Sequence, residues 1–251
     1  MSSEPATFRG LQRALILATS LIPAALVAVF LIGRWPEYWK WIASEDTPMT
    51  SLEVGVLYTT ALACWGSAAT SHLRGLYADR GRWLFLGAGF FWLCLDDRFA
   101  IHERIRDGFL APRGIAIPFL PIAPGDFILL VYMVIGLASL IWLLPLWRAQ
   151  RQARSHFLAG VGVAVLAVLM DAYDIHGLSL GLQRLEQTVE ECLELIAQVL
   201  FLQGVLLAWL YAITNPPSDV QGIGGTVAPP GSDAGSGDPD GQPAKPESAS
   251  Q

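Results

Sequence analysis

The chain has 251 residues, a net charge of −6, 53% hydrophobic side chains, 15% charged ones and a mean hydropathy of +0.45. Soluble domains carry about 25% charged residues, so this composition excludes an ordinary water-soluble domain and points to a membrane protein. The 16 Lys and Arg residues sit mostly in loops and form no stripe, which excludes nucleic acid as a partner.

Apolar runs of about 18 residues or more can cross about 30 Å of hydrocarbon. Backbone facing lipid must bond to itself, so such runs are expected to be helices. The first, 11–32, is too long for a signal-peptide core and reads as a retained helix. The second, 51–70, follows Thr50-x-x-Glu53, which fits a capping box. The third, 83–105, ends in LDDRFAIHER. The fourth, 126–147, opens on Asp126, an acid suited to a helix start. The fifth, 157–177, ends in MDAYDIHG. The sixth, 188–213, opens on Thr188-x-x-Glu191, a second capping-box pattern. Residues 1–214 are therefore expected to form an all-α, polytopic, six-helix transmembrane bundle. Residues 215–251 are rich in Pro, Gly, Ser and Asp, and are expected to be a disordered cytoplasmic tail. Cys64, Cys94 and Cys192 fall inside the runs and read as small core residues rather than a disulfide framework.

Nine Arg and Lys fall on one side of this topology (Arg9, Arg13, Arg74, Arg80, Arg82, Arg148, Arg151, Arg154, Lys245) and six on the other. The positive-inside rule places both termini in the cytoplasm. Trp35, Trp39 and Trp41 then form an outer aromatic belt, and Trp83 and Trp147 an inner one.

The acids are skewed the opposite way. Of 22 Asp and Glu, 15 lie outside or in the outer halves of the helices. Asp97 lies 14 residues beyond Trp83, or about 21 Å from the inner boundary and about 9 Å below the outer one. Asp171 lies 14 residues beyond Phe157, and Glu194 six residues into the last run, which puts all three at one level. A charge inside the bilayer costs about 2.5–3.5 kcal/mol even on the lenient scale. So many carboxylates need protons, water or a bound cation.

Asp97 and Asp171 each begin Asp-x-aromatic-x-Ile-His, ending at His102 and His176. The repetition points to helical-hairpin repeats, 83–105 with 126–147 and 157–177 with 188–213. The candidate site is a lower layer of Asp97, Asp171 and Glu194 under His102, His176 and Glu190, open to the outside. Two histidines with carboxylates suit zinc, iron or manganese. Asp97 and His102 are five apart, an awkward spacing for one helix face, and the Glu-x-x-His pairs of di-iron bundles are absent. No nucleotide cofactor is expected, because no phosphate-binding loop or dinucleotide fingerprint occurs.

LDDRFAIHER and EECLELIAQVLFL resemble a widespread group of bacterial multi-pass membrane proteins. Those proteins pair an Asp-Asp-x4-His-Glu helix with a Glu-Glu-x2-Glu-Leu helix. The resemblance implies a bacterial inner-membrane bundle and a shared site, and carries no reaction with it. A weaker resemblance is to alkaline-ceramidase-type membrane hydrolases, whose three-histidine zinc site is only partly matched here. Three function classes follow. The first is a membrane protein binding a divalent metal or other cation, up to an enzyme acting on a lipid or other membrane-borne substrate. The second is a proton- or cation-coupled transporter, and the third a structural or assembly subunit.

Overall fold

The computed structural model describes residues 6–43, 47–115, 117, 125, 127–172 and 178–215. Asp126, Asp174, His176 and the bulk of the expected tail lie outside them. The described residues are mostly helical, with no strand among them. Six helices are long: α1 (Ala6–Gly33), α3 (Pro48–Leu73), α4 (Tyr77–Phe99), α6 (Ile128–Leu143), α7 (Arg151–Asp171) and α8 (Leu180–Thr214). Two are short, α2 (Trp39–Ile42) and α5 (Ile101–Ile105). The eight-helix count departs from the expected six because one run breaks and one loop coils.

The break is at Ala100, which adopts a left-handed φ of 46° and ends α4. The start of α3 is equally local. Thr47 caps it, accepting from the Thr50 N–H at 3.5 Å, and Pro48 fills the first turn, where no donor is needed. Thr188 lies well inside α8, with its hydroxyl on the Arg184 carbonyl at 2.7 Å. Both expected capping boxes are thus corrected: Glu53 and Glu191 are interior helix residues.

α3 lies between α4 and α8, and α7 packs along α8. α1 rests on α8 and α3, while α6 touches α7 and α4. α4 pairs chiefly with α3 rather than with α6, so the expected 83–105/126–147 hairpin is not a packed unit. α1, α6, α7 and α8 are long and apolar enough to cross a membrane, and α1 and α6 bury almost none of their apolar stretch. α3 and α4 are not among these four, and α3 is covered by α4 on one side and α8 on the other. The buried hydroxyls of Thr60 and Ser67 bond back to the Val56 and Ala63 carbonyls at 2.8 Å.

Two glycines set the α7–α8 distance. A Cβ on Gly204 would lie 2.8 Å from the Phe157 Cβ and 3.1 Å from the Ala153 carbonyl. One on Gly160 would lie 2.9 Å from the Phe201 ring. Trp147 locks this crossing, donating from Nε1 to the Gly204 carbonyl at 3.1 Å and stacking on Phe157 at 3.9 Å. Trp83 meets Trp147 edge to face, and both are buried. They are core residues and not the expected inner belt. Trp147→Phe keeps the stack and deletes the donor. It is expected to cost about 1 kcal/mol, read as a small drop in melting temperature.

Charges separate by end. Asp79 accepts from Arg82 at 2.8 Å and from Arg148 at 3.3 Å, and Arg74 bonds to the Ala212 carbonyl at the same end. The acids gather at the other.

Candidate carboxylate site

α3 and α8 run parallel, joined by Trp209 donating to Thr70 at the arginine end. Their opposite ends bring together Glu53 from α3 with Glu191 and Glu194 from α8. One carboxylate oxygen from each lies within 4.8 Å of the other two. Glu191 and Glu194 are three apart and so share a helix face. Glu53 is 1% exposed and side-chain hydrogen-bonded to Glu191, while its Oε1 has no partner among the described residues. Asp97, in the last turn of antiparallel α4, is within electrostatic range of Glu53. Glu191, Glu194 and Asp97 are half-buried, so the group opens on one side.

A second group adjoins it. Glu190 is within electrostatic range of Asp171, Glu194 and Glu186. His102 is tied elsewhere. Its backbone N–H donates to Asp96 Oδ1 and its Nδ1 pairs with Asp96 Oδ2, both at 2.8 Å. Asp96 is 3% exposed. It therefore bridges the Ala100 break, and its two oxygens fix both the start of α5 and the imidazole. Asp96→Ala would strand two partly buried donors of His102. The expected cost is about 1–3 kcal/mol, seen as faster amide exchange at residues 100–105.

Of the sequence-predicted residues, Glu194 joins the three-carboxylate group and Asp97 borders it. Glu190 and Asp171 lie beside it, within electrostatic range of each other. His102 belongs with Asp96, within electrostatic range of Glu103 and Asp171. His176 lies outside the described residues. Glu53, Glu191 and Asp96 were not among the expected ligands. The Glu191/Glu194 spacing was the available signal for Glu191.

The family described as "Domain of unknown function (DUF8692)" matches residues 13–209. The chain belongs to the DUF8692 family. No curated protein and no solved structure matches it, so the resemblance to alkaline-ceramidase-type hydrolases gains no support there. In this DUF8692 member the matched region contains Glu53, Asp96, Asp97, His102, Asp171, Glu190, Glu191 and Glu194.

Proposed function

We propose that this DUF8692 protein is a polytopic inner-membrane protein whose carboxylates bind a cation near the outer face. In this reading the six long helices are the transmembrane bundle and both termini are cytoplasmic. The observation that carries it is Glu53, buried, with two further carboxylates within 4.8 Å and an unbonded oxygen. Three carboxyl groups so close cannot all be ionised without something positive among them. A cation there would tie α3 to α8, and through Asp97 to α4.

The depth supports an outer-face site. Glu53 is 21 residues before Arg74, and Glu191 is 21 before Ala212, the residue Arg74 bonds. Both intervals correspond to about 31 Å of helix, one hydrocarbon thickness. If the arginines mark the cytoplasmic face, the acids reach the outer one. Between the two ends the bundle is filled by Phe90, Trp83, Trp147, Phe157 and Phe201. That packed core favours a stationary site over a transport path.

Two measurements test the reading. Elemental analysis of purified protein dialysed against divalent cations is expected to find about one ion per chain, lost in Glu53→Gln. An ion-free wild type would return the acids to a purely structural role. For topology, an impermeant thiol reagent on intact cells should label Gly108→Cys, and label Ala78→Cys only after the membrane is opened. Labelling of Ala78→Cys in intact cells would reverse the orientation.

A further inference from the structure

We infer that the site takes a large, hard divalent cation of the calcium type, through carboxylate oxygens alone, and that His102 is not one of its ligands; this rests on the cation-site reading above. The donor set is the first ground. Glu53, Glu191 and Glu194 offer only oxygen, and the charged neighbours of Glu53 are those acids and Asp97. Zinc and iron sites draw on imidazole and thiolate. Among the described residues the three-carboxylate group holds neither, and the nearest thiol, Cys192 beside Glu191, is half-buried. His102 interacts with Asp96, Glu103 and Asp171, none of which belongs to the Glu53 group. The Cys94 thiol faces the Val54 carbonyl at 3.6 Å.

The second ground is Glu53 Oε1, a carboxyl oxygen sealed from water and without a hydrogen-bond partner among the described residues. Such an oxygen is costly unless something positive meets it. Three carboxylates binding through both oxygens supply six ligands, within the six to eight that calcium accepts at about 2.3–2.6 Å in loose geometry. Magnesium demands a tight octahedron and keeps its waters, so it fits a buried glutamate poorly. The open side at Glu191 and Glu194 admits the waters that complete a calcium shell.

The experiment uses the full chain in nanodiscs, stripped with chelator, and follows melting temperature against added Ca2+, Mg2+ or Zn2+. Ca2+ is expected to raise it with at least tenfold higher apparent affinity than Mg2+. His102→Gln should leave that shift unchanged, and Glu53→Gln and Glu194→Gln should remove it. A null response to Ca2+ beside a Zn2+ shift abolished by His102→Gln would overturn the inference and leave a cation site standing. The same holds if Mg2+ matches Ca2+. If no ion shifts the wild type, the cation-site reading itself fails.

Discussion

Glu53→Gln is expected to move stability in opposite directions with and without the ion. In chelator-treated protein the substitution should raise the melting temperature. It keeps the shape of the side chain while removing a buried acid from beside Glu191, Glu194 and Asp97. With ion present the order reverses. A ligand at 100 times its Kd stabilises by about 2.7 kcal/mol. At about 2–4 °C per kcal/mol for a chain of this size, the wild type gains about 5–11 °C and the variant nothing. A paired thermal scan reads both effects. A glutamine variant destabilised equally in both conditions would mean that Glu53 acts only through packing.

Gly204→Val should have the largest effect outside the site. Its Cβ would meet the Cβ and backbone nitrogen of Phe157, at 2.8 and 3.0 Å, and the Ala153 carbonyl. None of these is the flexible end of a side chain, so α7 must shift as a body. Overpacking of this kind costs about 1–3 kcal/mol, and displacing the Gly204 carbonyl also disturbs its bond from Trp147. Gly162→Ala is the matched control, because a Cβ there meets nothing within 4 Å. Its melting temperature should hold steady, since alanine is the better helix former. Equal losses at the two positions would show that helix propensity, not the α7–α8 contact, decides.

The long helices were legible because apolar runs of spanning length announce themselves. Partnership between helices was not. Thr50-x-x-Glu53 fits a cap by local spacing, and nothing in those four residues reveals that Thr47 and Pro48 already start the helix. Only the tertiary pairing of α3 with α8 turns Glu53 into a site residue. The apolar run starts at Thr188, whereas α8 begins at Leu180, so the acids of α8 lie farther from the helix end than the run alone indicates. The break at Ala100 has no signal in an alanine, which seldom takes a left-handed φ. It becomes intelligible from Asp96, whose carboxylate holds the far side of the break through His102. The separation of acids from arginines was visible in the sequence, because it depends on loop order and not on contacts.

The modest hydropathy of α3 and α4 bears on how the protein is made. A segment entering the bilayer during synthesis is judged on its own apolarity, before later partners exist. α1 can partition unaided, while α3 and α4 emerge with Glu53, Asp96 and Asp97 and without α8. In the proposed six-span bundle their residence in lipid is provisional until α8 leaves the ribosome and covers Glu53. Chains stalled before residue 180 should accordingly be slow to commit these two segments, and should be cleared by membrane quality control more readily than chains stalled after 214.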